Sequence, residues 1–208
     1  MAESRLARSE LILGGQRSGK SRRAEMLAQH WLAASPTHRA VLIASAQPWD
    51  EEMRERILRH QRDRAARVPG MRTVEEPLAL GEALTQHSDP QTLVVVDCLT
   101  LWLTNLLMPH RPADASAVGT ENPQKFKSNE AMDQSNRAQS ALFLIATEQA
   151  AGPLVLVGNE IGLGVIPLGR ETRAFVDALG RLNQDLAAVC ERVTFMAAGL
   201  PLTLKGEP

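Results

Sequence analysis

The sequence of 208 residues predicts an α/β fold in which a mostly parallel sheet is flanked by helices on both faces. Two observations lead to this prediction. Apolar runs of strand length alternate with longer amphipathic segments, a pattern typical of right-handed βαβ units. A chain of this length can also bury a full sheet between two helical layers. We therefore expect residues 1–208 to form a single domain.

Composition and charge argue against several classes of protein. The net charge is −1 and aromatic residues make up only 3%, so neither a basic nucleic-acid surface nor a base-stacking platform is expected. The longest apolar stretches are as short as strands, so we expect no membrane span, and residues 1–10 lack the apolar run of a signal peptide. Cys98 and Cys190 lack metal-ligand spacing, and two isolated thiols suit a reducing compartment. The expected location is the cytoplasm.

The first part of the chain is predicted to contain two strand–helix units. Residues 11–13 form an apolar strand that leads into a glycine-rich segment, and residues 40–44 form the second strand. The segment 50–67 has acidic residues in its first turn and arginines later, which favours a helix through its dipole. Residues 22–33 are predicted as a helix because four of them share one apolar stripe at helical spacing: Ala24, Leu27, Ala28 and Trp31.

The alternation continues with a buried strand at residues 93–96, which ends at Asp97. Residues 109–134 are rich in Pro, Ser, Asn, Gly and charge, and we predict a loop or flexible insertion there because such a composition buries little apolar surface. The other predicted elements are a helix at 99–107, a helix at 135–149, a strand at 154–157, a helix at 170–192 and a last strand at 193–196.

Residues 14–21 match the phosphate-binding pattern G-x-x-x-x-G-K-[ST] in full. Glycines let the backbone curl and aim successive N–H groups at phosphate oxygens, and the following helix adds the positive end of its dipole. A chance match is the alternative, but the motif lies between an apolar strand and an amphipathic helix, which is the context it requires. The predicted fold is therefore P-loop NTPase-like, and the predicted nucleotide-binding residues are Gly14, Gly15, Gln16, Arg17, Ser18, Gly19, Lys20 and Ser21.

A second motif is the run Val-Val-Val-Asp that ends at Asp97. In P-loop enzymes an aspartate after a buried strand holds Mg²⁺ directly or through water, while the loop lysine reaches the β- and γ-phosphates and the loop serine binds the metal. The alternative is an aspartate that begins a turn or caps the next helix. The loop upstream favours the metal role, so Ser21 and Asp97 are the predicted metal ligands.

Two further positions lie at the same edge of the predicted sheet. His60 shares a helix face with Met53 and Ile57 and can face the nucleotide, although the spacing alone favours a half-buried histidine on a solvated, arginine-rich helix. Asn159 and Glu160 follow the strand 154–157. These two residues either orient a substrate or metal, or they simply form the turn after the strand.

Several segments resemble the family of bifunctional adenosylcobinamide kinases/adenosylcobinamide-phosphate guanylyltransferases. The segment GNEIGLGVIP, which begins at Gly158, is far more specific than the glycine-rich loop. The similar segments occur in the family's order across residues 11–200, and the others are GGQRSGKSRRAE, ASAQ, DEEMRERILRHQRDR, RTVEEP, DCLT from Asp97, and GRLNQ from Gly180.

The resemblance implies a P-loop kinase fold, a homotrimer and an enzyme with two activities. Such an enzyme phosphorylates the aminopropanol hydroxyl of adenosylcobinamide with ATP or GTP. It then transfers GMP from GTP to adenosylcobinamide phosphate through a histidine–GMP intermediate. The implied catalytic residues are His60, as the nucleophile, and Lys20. Beyond the loop, the implied nucleotide contacts are Ala44, Ser45, Ala46, Gln61, Arg62, Asp63, Arg64, Glu75 and Asp97, with Glu75 recognising guanine.

The residue types suit this chemistry. A neutral imidazole is a good nucleophile toward the α-phosphorus, and Mg²⁺ together with Lys20 neutralises the pyrophosphate that leaves. Two other functions also fit a phosphate loop: a different small-molecule P-loop kinase, and a nucleotide-dependent regulatory switch without transferase chemistry. A covalent GMP intermediate distinguishes the first function from the other two.

Overall fold

The computed structural model of the protein describes residues 6–108 and 123–207, and for residues 123–133 it describes the backbone. Helices and strands alternate along the chain until a final pair of strands. In chain order the elements are β1 (Ser9–Gly14), α1 (Lys20–Ala34), β2 (Arg39–Ala44), α2 (Glu51–Arg67), β3 (Met71–Glu75), α3 (Leu80–His87), β4 (Thr92–Asp97), α4 (Leu99–Leu107), α5 (Pro123–Glu148), β5 (Leu154–Val157), α6 (Arg170–Val189), β6 (Arg192–Ala197) and β7 (Leu200–Lys205).

The strands form one seven-stranded sheet in the order β3-β2-β4-β5-β1-β6-β7. Every neighbouring pair is parallel except β6 and β7, which are antiparallel. The prediction of a mostly parallel sheet is therefore confirmed. Strand β5 lies between β1 and β4, so it separates the strand that leads into the glycine-rich loop from the strand that ends at Asp97.

Alternating side chains of the strands build a hydrophobic core on each face of the sheet. Leu11 and Leu13 pack on the face covered by α3, α4, α5 and α6, whereas Ile12 packs on the face covered by α1. Both faces are thus protected from water, which a parallel sheet requires. Helix α2 differs from the others because none of its residues is buried.

The sequence patterns missed three elements, and each has a physical reason. Strand β3 lies at the sheet edge and is only half-buried, and α3 is short, so neither gives a strong periodic signal. Strand β7 alternates leucines with polar residues, but it contains Pro201, which speaks against a strand except at an edge. The structure indeed has β7 at the other edge of the sheet.

Part of the predicted insertion at 109–134 is corrected by the structure. Helix α5 begins at Pro123, inside the segment predicted as a loop. The residues after Pro123 include Gln, Lys, Glu, Ala and Met, which are good helix formers, and the prediction gave polarity more weight than helix propensity. Residues 109–122 lie outside the described residues. Within the described ranges, no helix is both long and apolar enough to cross a membrane.

Candidate active site

The glycine-rich loop joins β1 to α1 in a conformation that needs its glycines. Gly14 has φ 149°, and a Cβ there would lie 2.4 Å from the carbonyl oxygen of Met196. Gly19, the N-cap residue of α1, is left-handed with φ 102°. Side chains at these two positions would clash or strain the backbone, so the loop can curl closely only with glycine. The loop therefore presents the N-terminus of α1 as an anion site.

Lys20 is held at the base of this loop. Its side chain is only 8% exposed and its Nζ donates a hydrogen bond of 2.6 Å to the carbonyl oxygen of Gly15. Burial lowers the pKa of Lys20, nearby Asp97 and Cys98 raise it, and the positive charge of Arg56 lowers it. A buried ammonium whose hydrogen bond goes to one loop carbonyl can turn to a phosphate oxygen when a ligand binds.

Ser21 and Asp97 meet on the other side of the loop, where Ser21 Oγ donates a hydrogen bond of 2.7 Å to Asp97 Oδ2. Burial raises the pKa of Asp97, while the hydrogen bond from Ser21 and the charges of His60, Lys20 and Arg64 lower it. A carboxylate and a hydroxyl side by side are hard oxygen donors of the type Mg²⁺ prefers.

The loop also contains a polar atom without a partner. Ser18 Oγ is buried and forms no hydrogen bond, and buried hydroxyls of this kind are normally satisfied. Among the residues described, no group of three or more His, Cys, Asp and Glu side chains could enclose a metal by itself. The Ser21 hydroxyl and the Asp97 carboxylate therefore fit a Mg²⁺ ion that takes its remaining ligands from nucleotide phosphates and water.

Helix α2 lies over this site and carries His60. The helix starts at Asp50, whose side chain accepts a hydrogen bond of 2.7 Å from the backbone N–H of Met53. The His60 side chain is exposed, it forms no hydrogen bond or ion pair with any described residue, and its charge acts on Asp97. His60 is thus an exposed imidazole near Asp97, and its role as the nucleophile stays a prediction.

A cleft of about 340 Å³ lies between α2 and β3. Gln61 Nε2 donates to Glu75 Oε1 at 3.4 Å, and Arg64 Nη2 donates to Thr73 Oγ1 at 3.1 Å. Burial lowers the pKa of Arg64, while the carboxylates of Asp97 and Glu25 raise it. The side chains that line the cleft are Gln61, Arg64, Ala65, Met71, Thr73 and Glu75.

The cleft includes only part of the run 61–64 that the family resemblance implied. Arg62 and Asp63 are exposed and do not line the cleft, and Asp63 Oδ2 accepts a hydrogen bond of 3.4 Å from Arg67. The helical repeat of 3.6 residues explains the difference, because positions 61 and 64 share a face from which 62 and 63 turn away.

The adjacent carboxylates Glu75 and Glu76 have different environments. Glu76 Oε1 accepts hydrogen bonds from the backbone N–H groups of Leu78 and Ala79, at 2.9 and 2.8 Å, just before α3 begins. Glu75 is exposed at the cleft, and among the described residues its carboxylate forms a hydrogen bond only with the side chain of Gln61. Glu76 therefore stabilises the fold, whereas Glu75 is open to a ligand.

The three residues at the end of β2 also differ from one another. Ser45 is fully buried, and its Oγ both donates to the carbonyl oxygen of Cys98 at 2.6 Å and accepts from the Cys98 N–H at 3.0 Å. The Ser45 carbonyl oxygen accepts from Asn105 Nδ2 at 2.8 Å. Ser45 thus joins β2 to β4, while its neighbours Ala44 and Ala46 are half-buried.

Sequence reasoning gave no role to Asn183, which is buried on α6. Its Nδ2 donates to Glu160 Oε2 at 3.3 Å and to the Asn159 carbonyl oxygen at 3.2 Å. The available signal was a polar residue inside an apolar stripe, because Leu179, Leu182, Asn183 and Leu186 are the buried residues of α6.

Comparison with known proteins agrees with this geometry. The profile of the family described as cobinamide kinase / cobinamide phosphate guanyltransferase matches residues 10–204. This chain belongs to that family. It is 46% identical to the bifunctional adenosylcobalamin biosynthesis protein CobP of Pseudomonas aeruginosa, over 96% of this chain and 98% of the relative. It is 34% identical to the bifunctional adenosylcobalamin biosynthesis protein CobU of Escherichia coli, over 94% and 98%.

Among solved structures, the chain is similar to the flagellar accessory protein FlaH of Methanocaldococcus jannaschii, with a TM-score of 0.47 and 10% identity over 97% of this chain and 80% of that chain. The cobinamide kinase / cobinamide phosphate guanyltransferase family is the one the sequence segments resembled. The predicted family, the prediction of an enzyme and the prediction of a bifunctional kinase and guanylyltransferase are thus confirmed.

Proposed function

We propose that this enzyme phosphorylates the hydroxyl group of adenosylcobinamide with ATP or GTP and then transfers GMP from GTP to adenosylcobinamide phosphate through His60. The observation that carries the proposal is one phosphate loop faced by one free imidazole. Lys20 and the Ser21–Asp97 pair lie on the loop side, and His60 lies on α2, near enough that a positive charge on its ring would lower the pKa of Asp97.

The nucleotide phosphates bind to the backbone N–H groups of the glycine-rich loop and to Lys20. To receive a phosphate oxygen, Lys20 Nζ exchanges its 2.6 Å hydrogen bond with the Gly15 carbonyl oxygen for a stronger charge-assisted one. Ser21 Oγ and Asp97 Oδ2 would hold Mg²⁺, which when bound neutralises charge on the phosphate oxygens. These groups serve both reactions, because each starts from a bound nucleoside triphosphate.

His60 serves only the guanylyl transfer. Its unprotonated ring nitrogen attacks the α-phosphorus of GTP, a P–N bond forms, and the bond to pyrophosphate breaks. The phosphate of adenosylcobinamide phosphate then attacks the same phosphorus, the P–N bond breaks, and His60 is regenerated. Lys20 stabilises the negative charge that develops on the pyrophosphate.

The guanine base binds in the cleft between α2 and β3. Glu75 accepts hydrogen bonds from the N1–H and the exocyclic amino group of guanine, which no adenine can supply together. Gln61 already donates to Glu75 at 3.4 Å and orients its carboxylate. Arg64, which lines the cleft, is a further donor for the nucleotide, and Ala44 lies beside the cleft because it pairs with Glu75 between β2 and β3.

The homotrimer and the cytoplasmic location belong to this proposal as well. Strand β7 forms one edge of the sheet, and three leucines in alternate positions are exposed on it: Leu200, Leu202 and Leu204. Exposed apolar edge strands are typical of surfaces that pair with another chain. Both cysteines are free thiols, which suits a reducing compartment. Sedimentation analysis of the purified protein tests the trimer, and a monomer at micromolar concentration would contradict it.

The function is tested by incubating the enzyme with GTP labelled at its α-phosphate. We expect covalent label that resists alkali, is lost in acid, as is usual for a P–N bond, and moves to the corrinoid when adenosylcobinamide phosphate is added. If the protein were a different small-molecule kinase or a regulatory switch, it would bind GTP without retaining covalent label. Absence of label, together with absence of corrinoid phosphorylation, would contradict the proposal.

A further inference from the structure

The end of strand β5 occupies the middle of the nucleotide site. Val157, its last residue, pairs with Ile12 on β1 and with Asp97 on β4. The residues that follow Val157 therefore emerge between the phosphate loop and the carboxylate of Asp97. Asn159 and Glu160 are the first polar side chains there, and the function described above uses neither of them.

Glu160 is tied directly to the phosphate loop. Its backbone N–H donates a hydrogen bond of 3.1 Å to the carbonyl oxygen of Gly14, the first residue of the loop. On the other side, the Asn159 N–H donates to Thr100 Oγ1 at 2.9 Å, at the start of α4. Both bonds fix the backbone at the strand end, so the Glu160 side chain starts from a rigid position beside the loop.

The carboxylate of Glu160 is oriented but not neutralised. Oε1 accepts a hydrogen bond of 2.8 Å from the Gly162 N–H, and Oε2 accepts one of 3.3 Å from Asn183 Nδ2. Asn183 is buried, and its Oδ1 has no partner. Glu160 forms no ion pair with any residue that the structure describes, so none of the cations described there neutralises its negative charge. A buried amide that fixes the orientation of a carboxylate without an ion-pair partner is typical of a pre-organised functional site.

We propose that Glu160 is the general base of the kinase reaction and that Asn183 is its positioning residue; the proposal rests on the function proposed above. As the hydroxyl oxygen of adenosylcobinamide attacks the γ-phosphorus, Glu160 accepts the hydroxyl proton. The bond between the γ-phosphorus and the bridging oxygen breaks, and the nucleoside diphosphate leaves with the electron pair. Glu160 then releases the proton to solvent.

The second reaction does not need this base. Its acceptor is a phosphate monoester, whose second pKa of about 6 leaves it largely ionised at neutral pH. An alcohol keeps its proton until the transition state, so only the kinase acceptor must be deprotonated. Glu160 should therefore matter to the kinase reaction alone, whereas His60 matters to the guanylyl transfer alone. Within one site, each of these two residues thus affects a different reaction.

Glu160→Gln tests this assignment, because it keeps the size of the side chain and one of its two acceptor oxygens but cannot accept the proton. We expect the turnover of adenosylcobinamide phosphorylation to fall by about 10²- to 10⁴-fold. Covalent GMP labelling and GMP transfer to supplied adenosylcobinamide phosphate should stay within about threefold of wild type, and these activities also show that the variant is folded. The affinity for the corrinoid, measured by equilibrium dialysis, should be unchanged.

Three further variants extend the comparison. Glu171→Gln removes an exposed carboxylate in the first turn of α6 and should leave both reactions unchanged. Glu160→Asp keeps a carboxylate one methylene shorter and should recover part of the kinase turnover. Asn183→Ala should lower kinase turnover while the KM for adenosylcobinamide stays the same, and it should leave GMP labelling intact.

The outcomes separate the possible failures. If Glu160→Gln keeps kinase turnover within about tenfold of wild type, or if it loses both reactions equally, Glu160 is not the base. Equal losses in Glu160→Gln and Glu160→Asp would also overturn the assignment, since shape and not proton acceptance would then matter. If the wild-type enzyme itself phosphorylates no corrinoid, the proposed function fails first.

Discussion

Ser21 Oγ on α1 and Asp97 Oδ2 at the end of β4 are joined by a hydrogen bond of 2.7 Å, although strand β5 separates β4 from β1 in the sheet. This hydrogen bond links the start of α1, directly after the phosphate loop, to the end of β4. It also gathers the two oxygen donors best suited to Mg²⁺ at one point, beside Lys20.

Replacing Lys20 with alanine should abolish both reactions with little change in stability. The ammonium is the positive charge of the loop, and removing a positioned charge typically costs about 10²-fold or more in turnover. Steady-state kinetics and a thermal melt measure the two effects. Arg22→Ala is the matched control, because Arg22 is an exposed cation two residues further along α1. Turnover of Lys20→Ala within about tenfold of wild type would contradict its role.

His60→Ala should remove GMP labelling and guanylyl transfer while leaving measurable corrinoid phosphorylation. Phosphoryl transfer from a loop-bound nucleotide requires no imidazole, whereas the covalent intermediate does. Labelling with α-labelled GTP and a separate kinase assay give the two readouts. His30→Ala, an exposed histidine on α1, should behave as wild type. Label that persists in His60→Ala would mean that another residue is the nucleophile.

The two adjacent glutamates should give opposite phenotypes. Glu75→Ala should raise the KM for GTP by about 10- to 100-fold in the labelling reaction with an unchanged thermal melt, because its carboxylate is open to guanine. Glu76→Ala should leave that KM unchanged but lower stability by about 1 kcal/mol, a shift of about 2–4 °C in Tm, because it loses two bonds before α3. The reverse pattern would contradict the assignment of guanine to the cleft.

Asp97→Asn should weaken activity but not the fold. Burial raises the pKa of Asp97, so the ionised carboxylate is unfavourable in the folded protein, and a neutral amide of the same shape removes that cost. In the presence of a chelator, the variant should melt at or above the wild-type temperature. Both reactions should fall by at least about 10²-fold. A clearly lower melting temperature would mean that the charge stabilises the fold.

Both cysteines should resist alkylation in the folded protein. Burial raises the pKa of Cys98, with a contribution from Asp97, and that of Cys190, each to about 11. A raised pKa favours the neutral thiol, so at pH 8 roughly one thiol in 10³ is the reactive thiolate. Labelling with iodoacetamide, followed by mass spectrometry, should be slow until denaturant is added. Rapid labelling of Cys98 in the native protein would contradict this burial.

The parts of the protein that depend on local conformation were predictable from the sequence. The glycines of the phosphate loop are required by backbone angles at single positions, and the alternating strands and helices carry periodic patterns that neighbouring residues alone create. Asp97 was predictable for the same reason, since it directly follows a buried apolar run. The prediction that His60 can face the nucleotide rests on the rule that consecutive parallel strands end on one side of the sheet, and it stays a prediction.

Only the tertiary structure decided which of these residues act together. The position of β5 between β1 and β4 is set by burial summed over the whole sheet, and it brings Glu160 between the loop and Asp97. The choice of Glu75 over Glu76 depends on where α3 begins, because the N–H groups of Leu78 and Ala79 just before the helix bond to Glu76 and leave Glu75 free. Such choices depend on contacts between residues far apart in the chain, which a local sequence pattern does not contain.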